Sequence, residues 1–133
     1  DIMTPLMCMA VAIFFEARGE PVVAKEAVAN VIINRVEDRR YPNSVCAVVN
    51  EHKAFSYTHD GLSDDPTRHT GHQDKIAWAE SQEVAKDALG GDLLGITSTH
   101  YHTTNVLPFW AKHYSLDTRI GNHLFYTNDT PYK

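Results

Sequence analysis

Two glutamates and an arginine follow directly on an apolar segment of the chain, in the run FFEARGEP at residues 14–21. Glu16 stands at the inner end of this segment, where burial disfavours the charged form of a carboxyl group. We expect its pKa to rise, so that it carries a proton near neutral pH, as a glycosidic general acid requires. Alternatively, Glu16 is a structural carboxylate that pairs with Arg18 or with a helix end. Glu20 is either a cap of the next helix, where negative charge suits the dipole, or a second active-site acid, and we favour a supporting role.

Hydrolysis of a glycosidic bond by two carboxyl groups depends on their separation, about 5–5.5 Å for retention and about 6.5–9.5 Å for inversion. Spacing along the sequence does not give that distance. A single acid would instead require attack by a hydroxyl group of the sugar itself, which is the reaction of a lytic transglycosylase. No second acid in the chain is placed as suggestively as Glu16.

The chain has eight histidines. His100 and His102 would share one face of a strand, so a zinc site is conceivable together with other histidines of the chain. Those others are His69, His72, His113 and His123. The chain has no His-Glu-x-x-His or Cys-x-x-Cys motif, and scattered histidines more often make polar contacts. We therefore predict no metal and no other cofactor.

Three aromatic residues are flanked by polar or turn residues, which predicts that they reach a groove where sugar rings could stack. They are Tyr57, Tyr101 and Trp110. Asn30 and Asn34 lie four residues apart in a helical pattern, so they share a face and could hold a polar network beside Glu16.

The acid-bearing corner requires two helices to position it. Thr4 and Pro5 begin an apolar helical pattern that Gly19 should end. Pro21 then starts a second helix, whose apolar residues recur every three or four positions as far as Val36. The two helices thus meet at residues 16–20.

Further elements follow from the remaining patterns. Ser44 could cap a short apolar helix, residues 51–73 are polar and aperiodic, and Gly90 and Gly91 should end a helix over 76–89. β-branched and aromatic residues predict strands at 96–102 and 120–127, with an irregular or helical link at 108–114. The chain is therefore predicted to be α+β, mainly helical with a small β element.

The totals limit the classes of function. A chain of 133 residues with 43% apolar composition fits one domain over residues 1–133. A formal charge of -5 argues against a nucleic-acid partner, and the apolar run 7–15 is too short to insert across a membrane. We expect a monomer, and a start at Asp1 suggests a processed form or an excised domain.

The chain has two cysteines, Cys8 and Cys46. They could form one bridge, but both have apolar neighbours, where buried free thiols are common. Two cysteines alone are not a disulfide framework, so unpaired thiols are the favoured expectation.

Seven segments in this order resemble the SleB-type cell-wall hydrolases, which include cortex-lytic germination enzymes and related bacterial and phage lysins. The segments are EARGEP (16–21), AVANVIINRV (27–36), YPNSVCAVV (41–49), AFSY (54–57), THYH (99–102), PFWA (108–111) and IGNHLFY (120–126). The resemblance covers nearly the whole chain. One departure is His59, where many relatives carry a cysteine; if that cysteine is the usual partner of Cys46, the bridge is absent here.

The resemblance implies a lysozyme-like catalytic domain that cleaves the bond between N-acetylmuramic acid and N-acetylglucosamine without a metal, with Glu16 as general acid. The main hypothesis is a lytic transglycosylase. Its alternatives are a muramidase hydrolase, a zinc-dependent amidase with His100 and His102 as ligands, and a wall-binding module without catalysis. The residues expected to contact the glycan are Glu20, Asn34, Tyr57, His100, Tyr101, His102 and Trp110.

The THYH and FSY segments look closest to the Gram-negative and phage members of that family. The implied partner is the glycan strand of ordinary peptidoglycan. The expected place of action is the bacterial cell wall, reached in the periplasm, outside the cell or by a phage lysin released from the cytoplasm.

Overall fold

The computed structural model describes residues 3–51 and 65–130. Within these ranges the helices are α1 (Pro5–Ala17), α2 (Val22–Glu37), α3 (Val45–Asn50) and α4 (His72–Leu89), and the strands are β1 (His100–Thr103), β2 (Ser115–Ile120) and β3 (His123–Thr127). Two short 3-10 helices span Pro66–Arg68 and Phe109–Lys112. The predicted mainly helical α+β class is confirmed. None of the helices in the described ranges is long and apolar enough to cross a membrane.

Helix α1 lies at the centre of the helical layer. The Thr4 side chain accepts a hydrogen bond from the backbone N–H of Met7 at 3.2 Å, so the helix begins at the predicted cap. Residues 8–14 are all buried, because α2, α3 and α4 pack around α1. An apolar surface on every side is typical of such an enclosed helix. The helix ends at Ala17 and delivers Glu16 on its last turn.

The other helices follow the sequence pattern closely. Pro21 precedes the first residue of α2, and the Ser44 side chain caps α3 by accepting from the N–H of Ala47 at 3.3 Å. Helix α4 begins at His72, about one turn earlier than predicted. Its first residues are mostly exposed, so they carry no apolar periodicity that would have marked the start.

The three strands form an antiparallel sheet in the order β1-β3-β2. The prediction of one strand over 120–127 was wrong, because a turn at Gly121 and Asn122 divides this segment into the ends of β2 and β3. Strand β2 was not predicted, since most of its side chains are exposed and show no apolar alternation. Strand β1 begins only at His100, although the prediction began at residue 96.

The expectation of unpaired thiols was wrong. Cys8 of α1 and Cys46 of α3 form a disulfide, with their Cα atoms 5.3 Å apart. The two residues are separated by 38 positions, and only the packing of α3 on α1 brings them together. His59, whose place suggested a missing partner, lies outside the described residues.

Candidate active site

Glu16 lines an open cleft of about 520 Å³ between the α1–α2 corner and one end of the sheet. The corner contributes residues 15–20 to its lining. The sheet end contributes the polar residues Thr103, Thr104, Asn105, Asn122 and His123. The cleft therefore combines carboxyl, guanidinium, hydroxyl, amide and imidazole groups, which can bind a polar polymer such as a glycan.

The Glu16 carboxyl group has one close polar partner on the sheet. The Tyr101 hydroxyl donates a hydrogen bond to Glu16 Oε1 at 2.6 Å. Burial raises the pKa of Glu16, while the Tyr101 hydrogen bond and the charge of Arg35 lower it. Burial is the largest of these effects, so the predicted rise of the Glu16 pKa agrees with its surroundings.

Arg35 was missed by the sequence analysis. The Arg35 side chain is buried. Its Nε donates a hydrogen bond to the carbonyl of Thr99 at 2.7 Å, and its Cζ lies 5.3 Å from the centre of the Tyr41 ring. From there its charge favours the carboxylate form of Glu16. A signal was present, because Arg35 lies four positions after Val31 and therefore on the apolar face of its helix. A charged side chain on such a face is uncommon and indicates a specific partner.

Glu20 has the opposite environment to Glu16. Its carboxylate accepts hydrogen bonds from the backbone N–H of Asn122 at 2.6 Å and from Asn122 Nδ2 at 3.3 Å. His123 Nδ1 lies 3.4 Å from Oε1. The Asn122 N–H is the main cause that lowers the pKa of Glu20, with His123 adding to it. Glu20 thus joins the corner to the β2–β3 turn as a carboxylate.

Two cations support the corner. The buried Lys25 donates to the carbonyl of Glu20 at 2.6 Å and forms an ion pair with Glu80 at 3.4 Å. Arg18 contacts His69 Nδ1 at 2.9 Å and Asp74 at 3.8 Å. The structure therefore places the Arg18 guanidinium on the helix α4 side of the corner, while Glu16 is held by Tyr101.

His100, His102 and Trp110 lie together on the other face of the sheet from Tyr101. The Trp110 ring is 5.1 Å from the His100 ring and 5.7 Å from the His102 ring, so the two imidazoles share a face as predicted. Burial, followed by the charges of Arg35 and Arg40, lowers the pKa of His100 to about 4. None of the three is among the residues that line the Glu16 cleft.

The histidines of β1 are engaged inside the protein. His102 Nε2 lies 2.8 Å from the Tyr126 hydroxyl and Nδ1 lies 2.7 Å from the Thr103 carbonyl, while His100 Nδ1 contacts the Thr99 hydroxyl at 3.0 Å. Among the described residues no group of three or more His, Cys, Asp or Glu could hold a metal ion. The side chains proposed as zinc ligands are thus occupied by other contacts.

The predicted amide network exists, but it holds a backbone segment. Asn34 Nδ2 donates to the carbonyls of Ile96 and Ser98 at 2.8 and 2.9 Å, and Oδ1 accepts from Asn30 Nδ2 at 3.2 Å. Asn30 Oδ1 accepts from the N–H of Gly95 at 2.9 Å. These bonds fix the approach to β1, and Asn34 does not line the cleft. Tyr57, the other expected glycan contact, lies outside the described residues.

The polar wall of the cleft was not foreseen, although the sequence contained two signals for it. Residues 103–105 are a polar run directly after a predicted strand, where functional loops often begin. Gly121 and Asn122 form a Gly-Asn pair between two strand-like runs, which is typical of a hairpin turn. The prediction of a single strand over 120–127 left out the turn that places Asn122 and His123 at the cleft.

Comparisons with known proteins agree with this arrangement. The family model described as Cell Wall Hydrolase matches residues 19–126. The chain is 32% identical over 124 residues to the spore cortex-lytic enzyme of Halalkalibacterium halodurans, covering 90% of this chain and 34% of that enzyme. It is 38% identical over 118 residues to the spore cortex-lytic enzyme of Bacillus subtilis, covering 88% of this chain and 35% of that enzyme. The chain thus spans about a third of the length of these relatives.

Two solved structures have the same fold. The catalytic domain of the germination-specific lytic transglycosylase SleB from Bacillus anthracis has a TM-score of 0.76 and 27% identity, over 96% of this chain and 97% of that one. The catalytic domain of the Bacillus cereus SleB protein has a TM-score of 0.74 and 28% identity, over 92% of this chain and 89% of that one. The expected lysozyme-like fold with a small sheet is confirmed.

Proposed function

The chain belongs to the cell wall hydrolase family, and from this premise we propose that it is a lytic transglycosylase that cleaves peptidoglycan glycan strands. The bond cleaved is the β-1,4 bond between N-acetylmuramic acid and N-acetylglucosamine, and Glu16 is the acid. The name of the B. anthracis structure, a lytic transglycosylase, supports the reaction type. The bacterial cell wall is then the place of action.

The observation that carries this proposal is the environment of Glu16. Its carboxyl group reaches an open cleft, yet burial raises its pKa and Tyr101 holds one of its oxygens. Because the Tyr101 hydroxyl donates to Oε1, a proton on the carboxyl group resides on Oε2. Glu16 is therefore an oriented acid, available to a glycosidic oxygen in the cleft.

The reaction uses this one carboxyl group twice, first as acid and then as base. Glu16 transfers its proton to the leaving glycosidic oxygen as the bond to the anomeric carbon of the muramyl sugar breaks. The resulting carboxylate is stabilised by the Tyr101 hydroxyl and by the charge of Arg35. It then accepts the proton of the muramyl 6-hydroxyl while that oxygen bonds to the anomeric carbon. A 1,6-anhydro ring forms and Glu16 is again protonated.

The residues that were expected to contact the glycan have different roles in this proposal. Glu20 lines the cleft, and Tyr101 acts in it through Glu16. His100, His102 and Trp110 pack together on the other face of the sheet. We therefore propose that they stabilise the sheet that carries Tyr101 and do not contact the glycan. In their place we propose four polar residues of the cleft lining as glycan contacts, namely Thr103, Thr104, Asn105 and Asn122.

The test is a digestion of purified peptidoglycan by the wild-type protein and Glu16→Gln, with mass spectrometry of the released muropeptides. We expect 1,6-anhydromuramyl ends from the wild type and at least a 10²-fold lower rate from the variant. Glu83→Gln is the matched control, because Glu83 is exposed on α4. Full activity of Glu16→Gln would remove Glu16 from the mechanism.

The other products distinguish the alternatives. Reducing muramic ends would indicate a muramidase hydrolase, for which Glu20 is the candidate second carboxylate because it lines the same cleft in its charged form. Free stem peptides, abolished by a chelator, would instead indicate the zinc-dependent amidase. Pull-down with peptidoglycan without soluble products would indicate a wall-binding module.

A further inference from the structure

His123 is a buried polar residue that the mechanism above does not use. It is the first residue of β3, only 3% exposed, and part of the cleft lining. Its Nδ1 atom is buried and makes no hydrogen bond within the described residues. The nearest acidic atom is Glu20 Oε1, at 3.4 Å.

The charge of Glu20 determines which nitrogen of His123 carries a proton. The two donors of Asn122 hold Glu20 as a carboxylate, since they lower its pKa. A lone pair on Nδ1 would face this negative charge and repel it, whereas an N–H would be attracted. We therefore expect the neutral imidazole to carry its proton on Nδ1.

The other side of the imidazole contacts the residue that holds the acid. The His123 ring packs edge-on against the Tyr101 ring at 5.4 Å, and Phe125 packs against both, at 5.5 Å from Tyr101 and 6.1 Å from His123. Tyr101 in turn donates to Glu16. A continuous series of contacts thus runs from Glu20 through His123 and Tyr101 to Glu16.

We propose that His123, held by Glu20, is a positioning residue that fixes the Tyr101 hydroxyl against Glu16. This inference rests on the proposed role of Glu16 as the acid. The orientation of a proton donor strongly affects the rate, because a displacement of about 1 Å can cost about 10²-fold. His123 would therefore contribute to kcat through Tyr101 and Glu16.

Two substitutions separate its two contacts. His123→Phe keeps a ring against Tyr101 but removes the N–H toward Glu20, and His123→Asn keeps a donor near the position of Nδ1 but removes the ring. Each is expected to lower kcat about tenfold and to leave KM within about twofold, since positioning affects the reaction and not glycan binding. His113→Asn, at an exposed position, is the control. A wild-type kcat in either variant would overturn the proposal.

A double-mutant cycle tests whether His123 acts through Tyr101. In Tyr101→Phe the hydroxyl is absent, so adding His123→Phe should change kcat less than about twofold further. If the loss of kcat in the double variant equals the product of the losses in the two single variants, the proposal is overturned.

A spectroscopic measurement is independent of activity. Side-chain nitrogen-15 NMR of the wild type should show Nδ1 of His123 protonated, and Glu20→Gln should weaken this preference. Protonation at Nε2 alone would overturn the inference, even if 1,6-anhydro products form. Absence of those products from the wild type would instead reject the proposed function, whatever the NMR result, so the two failures are distinguishable.

Discussion

Glu16 and Glu20 are four residues apart, yet their surroundings favour opposite protonation states. Burial raises the pKa of Glu16, whereas a backbone N–H and a side-chain amide of Asn122 lower the pKa of Glu20. Carboxyl groups with divergent pKa values are typical of sites in which one acts as an acid and the other stays charged. Here the charged carboxylate of Glu20 also binds the β2–β3 turn, so Glu16, the proposed acid, and its supporting structure share one corner.

The Tyr101 hydroxyl should influence the pH dependence of the reaction. It lowers the pKa of Glu16, so Tyr101→Phe should raise that pKa further. The protonated acid then persists to higher pH, and the alkaline limb of kcat/KM should move to higher pH while the plateau falls. Rates across a pH series measure this shift. Tyr114→Phe, on the other face of the sheet, should retain the wild-type limb; a limb moving to lower pH would contradict the argument.

The β2–β3 hairpin is the element that completes the cleft. Its turn carries Asn122 onto Glu20 and places His123 at the start of β3. Gly121 has a φ of +58°, and a Cβ there would lie 2.5 Å from Glu20 Oε1. The close contact between the β2–β3 turn and Glu20 therefore requires a residue without a side chain at position 121.

Gly121→Ala should disturb both the turn and the acid corner. Gly95→Ala is a matched control, because Gly95 also has a positive φ, +87°, but no atom within 4 Å of its Cβ position. Backbone strain alone costs roughly 1–2 kcal/mol. We expect that loss for Gly95→Ala and a larger one for Gly121→Ala, which should also lower kcat. Denaturant unfolding with parallel rate measurements tests this; equal effects of both substitutions would show that Glu20 moves away freely.

Asn34 connects α2 to the segment before β1. Asn34→Ala removes the donor shared by the carbonyls of Ile96 and Ser98. Loss of these partly buried hydrogen bonds should cost roughly 1–3 kcal/mol of unfolding free energy and leave KM unchanged. Thermal unfolding and glycan kinetics check the two parts separately. A higher KM without a loss of stability would restore the sequence-based expectation that Asn34 contacts the substrate.

Local signals made part of this architecture predictable. Thr4 and Ser44 cap their helices as expected, and the end of α1 brings Glu16 to the corner. Cross-strand and interhelical contacts were not predictable, because they depend on packing between distant segments. The Cys8–Cys46 bridge, the contact of Glu20 with Asn122 and the hydrogen bond from Tyr101 to Glu16 are of this kind.

At the scale of the whole molecule, the core joins the helices and the disulfide ties two of them together. One cluster of buried side chains includes residues from all four helices, and α3 is short, with only six residues. A helix of this length depends on tertiary contacts. The bridge from Cys46 to Cys8 is therefore an important attachment of α3 to the central helix.

Removal of the bridge should lower stability more than activity. Cys8→Ala with Cys46→Ala is expected to cost about 2–4 kcal/mol of unfolding free energy, because the unfolded chain is no longer constrained. Neither cysteine lines the cleft, and Cys8 lies eight residues before Glu16 on α1, so kcat at a temperature well below the transition should be retained. Unfolding with and without reductant provides the measurement. Reductant should affect the wild type and not the double variant; an insensitive wild type would contradict a bridge in solution.

The register in which β1 pairs with β3 should determine whether the protein is active. Tyr101 is paired with Phe125, and neighbouring side chains on a strand point to opposite faces. A slip of one residue would turn the Tyr101 hydroxyl away from Glu16 and present an imidazole instead. Such a misfolded chain would retain its helices and its disulfide, yet lose turnover. A laboratory selection for activity would therefore discard register errors that a screen for thermal stability would retain.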